Sequence, residues 1–152
     1  MAEINFKGLD EVTLSMQEVA DLPDEVIDEM LNAGADVVAK AQREEALKLG
    51  KLGGYRSDGQ TIDWSTGETA RSIKKGKVKV KDGKRIIYVT PTGSRSRGNT
   101  TVRNAEIAFL NEYGTKTIHA RNFLYFANEK CAAETTAAQA AVYDKFLESK
   151  NL

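Results

Sequence analysis

The feature that most constrains this chain is a helical stripe. Val26, Ile27, Met30, Leu31, Gly34, Val37, Val38 and Ala41 recur at three- and four-residue spacing between Asp24 and about Leu49. That is the period of an amphipathic helix. A helix over about 24–49 is a rod of roughly 39 Å at ~1.5 Å per residue, and its apolar side needs a partner. Asp24 is placed to cap it, the acids of its first turns suit the positive end of the dipole, and Lys48 and Gly50 mark its end. A second stripe of Phe123, Ala127, Cys131, Thr135, Ala138, Val142 and Phe146 predicts a C-terminal helix over about 122–149. Its many other alanines let a neighbouring element approach closely.

The segments between and before these helices are less regular. Ile4 and Phe6 alternate with polar residues, as in a short N-terminal strand, and Asp10 can open a helix to about Ala20. Gly50 to Ser65 reads as a long loop, holding Tyr55 and the one tryptophan, Trp64. Trp64 has two readings, a lid folded over the core edge or an anchor for a partner subunit. Ser65 or Thr66 caps a short helix to about Ile73. Two alternating runs then flank Asp82-Gly83, the pattern of a β-hairpin over 76–89 with a two-residue turn. Pairing Lys81 with Lys84 puts Val78, Val80, Ile87 and Val89 on one face, which should be buried. Lys77, Lys79, Ile86 and Tyr88 take the other. Pro91 to Asn104 reads as a second long, basic loop, mobile by itself, followed by a strand at about 105–109. No alternation of strand and helix suggests a parallel sheet. The expectation is an α+β fold: a small antiparallel sheet packed against the long helix and the C-terminal helix.

The length, 152 residues, suits one domain spanning 1–152 with the two loops 50–65 and 91–104. Hydrophobic residues at 41% and charged residues at 29% suit a globular protein. No apolar run reaches the ~20 residues of a membrane span, and Met1 to Asp10 lacks the pattern of a secretory signal. A single cysteine, Cys131, and a single histidine, His119, exclude a disulfide framework, a thiolate zinc cage and any two-histidine site. No cofactor or metal is expected. A Cys131–His119 nucleophilic pair is conceivable, but the helical stripe assigns Cys131 to a buried apolar position. Gly50-Lys51-Leu52-Gly53-Gly54 follows a helix instead of opening one, so it is not a phosphate loop.

Net charge is zero, but it is segregated. Residues 1–32 hold nine acids and one base; residues 71–103 hold eleven bases and one acid. Either the acidic helix and the basic hairpin lie together within one chain, or one subunit's basic surface meets a neighbour's acidic one. Arg95, Arg97 and Arg103, with the hairpin lysines, also admit contact with nucleic acid without sequence preference, although no aromatic residue is interleaved in 94–98.

Several short motifs occur in a telling order. Ile4-x-Phe6-x-Gly8-Leu9-Asp10-Glu11 precedes the long helix. Thr66-Gly67 and Ser72-Ile73 follow it. Ile107-Ala108-Phe109-Leu110-Asn111-Glu112-Tyr113-Gly114-Thr115 comes next, then Ala120-Arg121-Asn122-Phe123-Leu124 and the last helix. Together these resemble the tail-completion, or head–tail joining, family of long-tailed bacteriophages. Thr69 stands where that family tends to have leucine, and Asn122 where it tends to have proline. The resemblance implies a non-enzymatic virion structural protein that assembles as a ring, six-fold by expectation, between head connector and tail tube. It would reside in the virion and, during assembly, in the host bacterial cytoplasm. A tail terminator capping the tube is the alternative within that class. On this reading Glu112, Tyr113, Gly114, Arg121 and Phe123 are architectural. Gly114 allows a positive-φ turn, and Arg121 is expected to brace the Glu112 carboxylate. The basic loop and Tyr55 and Trp64 would meet partners or DNA in the channel.

Overall fold

The computed structural model describes residues 22–49, 54–55, 61–62 and 67–149. The expected N-terminal strand and helix, and Trp64, lie outside these residues. The long helix α1 runs Asp24–Leu47. Pro23, not Asp24, takes the cap position: its carbonyl accepts from Val26 N–H at 3.0 Å and Ile27 N–H at 3.2 Å. Proline's fixed φ suits that entry to a helix, and Asp24 and Glu25 fall in the first turn, at the positive end of the dipole.

Two-residue strands β1 (Gly54–Tyr55) and β2 (Thr61–Ile62) pair antiparallel, so the segment read as a loop contains a small hairpin. Helix α2 is short, Glu68–Ser72, and begins after Gly67 in the left-handed region. Six further strands follow: β3 (Ile73–Lys75), β4 (Lys79–Lys81), β5 (Lys84–Ile86), β6 (Val89–Pro91), β7 (Ser94–Arg97) and β8 (Thr100–Arg103). Helix α3 (Asn104–Tyr113) and helix α4 (Phe123–Ser149) complete the described chain. The fold is α+β, with two-stranded antiparallel sheets instead of one continuous sheet.

Two expectations are corrected. The segment 91–104 is not an open loop. It forms the β7–β8 hairpin, Ser94 opposite Arg103 and Arg97 opposite Thr100, turning at Gly98-Asn99 with Gly98 at φ 61°. Alternating Ser, Arg and Thr make a strand pair without an apolar face, so hydrophobic patterning carries no trace of it. The strand expected at 105–109 is part of helix α3. Its buried residues, Asn104, Ala108 and Glu112, are four apart. Two of them are polar, so a reading based on apolar residues saw only the short run Ile107 to Phe109, which does not distinguish strand from helix.

The hairpin register expected around Asp82-Gly83 holds: Lys81 pairs with Lys84 and Lys79 with Ile86. Both turn residues have positive φ, 51° and 73°, as a two-residue type I′ turn requires. The ribbon continues past this pair. Lys75 opposes Val89 and Ile73 opposes Pro91, and Gly76 N–H donates to the Tyr88 carbonyl at 2.7 Å. Residues 77–78 therefore oppose Ile87 alone, which is a β-bulge.

Helix α1 is the spine of the molecule. On one side α4 packs antiparallel to it. Gln139 lies over Gly34, Asn128 Oδ1 accepts from Gln42 Nε2 at 3.0 Å, and Arg121 donates to the Leu49 carbonyl. A Cβ at Gly34 would sit 2.8 Å from Gln139 Nε2, so the glycine leaves the room that the Gln139 side chain fills. On the other side lies the ribbon. Arg43 Nε donates to the Ile73 carbonyl at 2.9 Å, Lys75 pairs with Asp36 at 2.7 Å, and Arg85 pairs with Asp28 at 2.8 Å. The lengths are comparable: from 43 to 28 the helix rises ~22 Å, and along the unbulged strand from Pro91, opposite Ile73, to Arg85 is ~20 Å.

The core is small. Ala46, Ala70, Ile73, Ala108 and Phe123 cluster, with Leu49, Val89 and Leu124 around them. Val80, expected to be buried, is 64% exposed; its ladder partner Arg85 makes the contact with α1, through Asp28.

Candidate partner-binding surface

Two junctions hold the elements, and they absorb several of the residues singled out in the sequence. The first joins α2, β6, β7 and α3. Arg95 Nε donates to Asn104 Oδ1 at 2.7 Å and its Nη2 to Thr69 Oγ1 at 2.8 Å. Asn104 Nδ2 donates to the Thr92 carbonyl at 2.8 Å, and Ser72 Oγ to the Thr69 carbonyl at 2.7 Å. Thr69, Ser72 and Asn104 are all buried, so these bonds are needed to offset desolvation. Arg95 is thus an internal staple instead of a contact held out to a partner. Arg103 is exposed at the end of β8, directly before α3. Arg97 opposes Thr100 beside the hairpin turn, and Tyr55 opposes Thr61 in the β1–β2 pair.

The second junction lies between α3 and α4. The buried Glu112 carboxylate accepts from Leu124 N–H at 2.8 Å and Tyr125 N–H at 3.0 Å. It caps the first turn of α4 from a different helix. The expected Glu112–Arg121 brace is not formed. Arg121 reaches the Leu49 carbonyl at the end of α1 instead, while its own N–H donates to the Asn111 carbonyl at 2.8 Å. The Glu112 oxygens serve two backbone donors of α4, and the Arg121 guanidinium serves a carbonyl just past the end of α1. The 115–118 turn follows Gly114, which has φ 77°, and a Cβ there would meet Ala120 N at 2.6 Å and Ile118 O at 2.7 Å. Phe123 is buried in the core.

Around this junction the large aromatic residues face outward. Phe109 and Tyr113, one helical turn apart on α3, pack ring to ring at 4.7 Å, and Tyr125 and Phe126 pack at 5.6 Å. All four are between 55% and 67% exposed. At ~200 Å² per ring, roughly 480 Å² of aromatic surface stays open. The rings are exposed as two pairs, one on α3 and one on α4, and exposed apolar clusters of this kind mark interaction sites. The Tyr113 ring of the motif read as architectural rests on Phe109 at the surface. Ile118 and Phe126 also line a cleft of about 620 Å³ with Glu45, Leu49, His119 and Arg121. Within it the Glu45 carboxyl is held below its usual range by a hydrogen bond from Lys48, with Lys130 3.6 Å away. Cys131 is buried, its Sγ 3.6 Å from the Asn128 carbonyl oxygen, while His119 is in the exposed turn.

Electrostatics divide the basic region in two. Arg85 is held in its charged form chiefly by hydrogen bonding to Asp28, with Asp24 3.3 Å away. Together with Lys75–Asp36 this makes the attraction between acidic helix and basic ribbon an intramolecular one at these positions. Lys74, Lys77, Lys79, Lys81 and Lys84 are exposed and in no ion pair among the described residues.

No helix among the described residues is long and apolar enough to cross a membrane. Set beside protein-family models, curated proteins and solved structures, the chain matches none.

Proposed function

We propose that this chain is a structural subunit of a bacteriophage virion that completes the tail or joins it to the head, working in a ring of identical copies and without bond chemistry. The observation that carries the reading is the inversion of its apolar residues. Its core is mostly alanine around Ile73 and Phe123, while Phe109, Tyr113, Tyr125 and Phe126 lie outside. A subunit built this way leaves apolar surface to be covered by neighbours. The Glu112-Tyr113-Gly114 motif that carries the family resemblance forms the junction presenting those rings, which supports the same reading. A rotational ring uses two different faces of each subunit, and the aromatic end and the ribbon are two such faces.

The test is disruption of the reading frame in the phage that encodes it. The expected lysate, by electron microscopy, holds filled heads beside separate tails of normal length. Wild-type protein supplied from a plasmid restores joined particles, and a Phe109→Ser/Tyr113→Ser variant of unchanged melting temperature does not. Overlong tails instead identify a terminator capping the tube. Joined, infectious particles without the chain overturn the proposal.

A further inference from the structure

We infer that the outer face of the bulged ribbon binds the phosphodiester backbone of nucleic acid without reading its sequence. The bulge at 77–78 creates this face. Inside it, Ile73, Lys75 and Val89 turn toward α1. Strict alternation from Lys75 would send Lys79 inward as well. The extra residue shifts the parity, so Lys79 pairs with Ile86 and Lys81 with Lys84 on the side away from Arg85 and Asp28. On the other strand Lys84, Ile86, Tyr88 and Thr90 keep one parity throughout and share that side. The outer face thus carries Lys74, Lys79, Lys81 and Lys84 with Tyr88 among them, 50% exposed.

Three observations point to a polyanion. Among the described residues, the acids paired with this ribbon, Asp24, Asp28 and Asp36, lie on the inner side, where they hold Arg85 and Lys75. Lys81 and Lys84 oppose each other directly, and like charges across a ladder destabilise it; a phosphate bridging them removes that cost. Lys74 to Lys81 spans ~20 Å of ribbon, a length along which each strand of duplex DNA presents a charge about every 3.4 Å. Tyr88 supplies the ring that the arginine hairpin lacks, and aromatic rings on basic surfaces stack bases of any sequence. Asp82 at the tip is the one acid in the ribbon segment 73–91. The proposal is independent of the virion reading, since it concerns the isolated chain.

The experiment is fluorescence anisotropy of the full chain with a labelled 20-base-pair duplex and a 20-nucleotide single strand, from 50 to 200 mM salt. Four lysine–phosphate contacts give a log–log slope of about −3.6, or roughly 150-fold weaker duplex binding across that range. Lys79→Glu/Lys81→Glu/Lys84→Glu should abolish binding at 50 mM with an unchanged far-ultraviolet spectrum. Lys116→Glu/Lys145→Glu, the same kind of reversal elsewhere, should leave it within about twofold. Loss on Tyr88→Ala confined to the single strand shows stacking, and equal loss on both shows ring packing against the backbone; both support the face. No binding at 50 mM, or binding that survives the triple reversal, overturns the proposal. So does salt-sensitive self-association abolished by that reversal, which would give the face to a second copy.

Discussion

Replacing Gly114 with alanine tests whether one backbone position organises the aromatic end. Gly114 has φ 77° and ψ −178°, a region essentially reserved for glycine, where a side chain costs about 1–3 kcal/mol. The added Cβ would also meet Ala120 N at 2.6 Å and Ile118 O at 2.7 Å. Normal contact begins about 0.8 Å further out. Those atoms belong to a turn closed by Thr115 N–H to the Ile118 carbonyl at 2.8 Å, with Thr115 Oγ1 accepting from Ile118 N–H at 3.0 Å. The backbone cannot yield without opening that turn, an overpacking cost of a further ~1–3 kcal/mol. The sum is centred near 4 kcal/mol, about 10 °C in melting temperature for a chain of this size. Gly83→Ala is the matched comparison. Gly83 also has positive φ, 73°, but a Cβ there meets nothing within 4 Å, so it should cost only about 1 kcal/mol. Urea unfolding of the two variants should differ by roughly 3 kcal/mol, about 2 kcal/mol of it steric. Equal midpoints for the two would refute the argument that the 115–120 turn is held against Gly114.

Other consequences are simpler. Glu112→Ala should cost about 1–2 kcal/mol, and Glu112→Gln, keeping one acceptor oxygen, about half of that; faster hydrogen exchange at Leu124 and Tyr125 N–H reports the lost cap. Arg95→Lys should cost about 2 kcal/mol, because an ammonium cannot reach Asn104 and Thr69 together. An unchanged thermal midpoint would remove Arg95 from its stapling role. Glu45 has a carboxyl pKa lowered in the folded protein from the ordinary 4.5, so it adds stability above that value and loses it as pH falls through the folded one. The stability gap between wild type and Glu45→Gln should therefore stay level from neutral pH down to about 5 and close in acid; a gap that widened in acid would contradict the assignment.

Both long helices were legible because a 3.6-residue period over more than twenty positions has few competing explanations. The hairpin turn was legible because Asp-Gly between alternating runs meets the backbone demands of a type I′ turn. The ribbon's extent and parity were not. A bulge is one residue among several, and whether Lys79 faces in or out depends on how β3 and β6 dock on α1. The arginines of 94–103 looked like one basic cluster, but Arg95 is half-buried against Asn104 and Thr69 while Arg103 is exposed.

Periodicity and turn chemistry are local properties, written within a few residues of where they act, so the two long helices, the first turns of the α4 stripe and the Asp-Gly turn followed from the amino acids alone. The buried face of α1 did not: it is Gly34, Ala35, Ala39, Gln42 and Ala46, of which the expected stripe held only Gly34. Cross-chain pairings belong to a different order of information. Glu112 capping a helix that begins eleven residues later, Arg121 meeting Leu49, and Arg85 meeting Asp28 are contacts between distant positions. Each is one choice among many chemically equivalent partners, and only the packing of α1 against both α4 and the ribbon makes that choice.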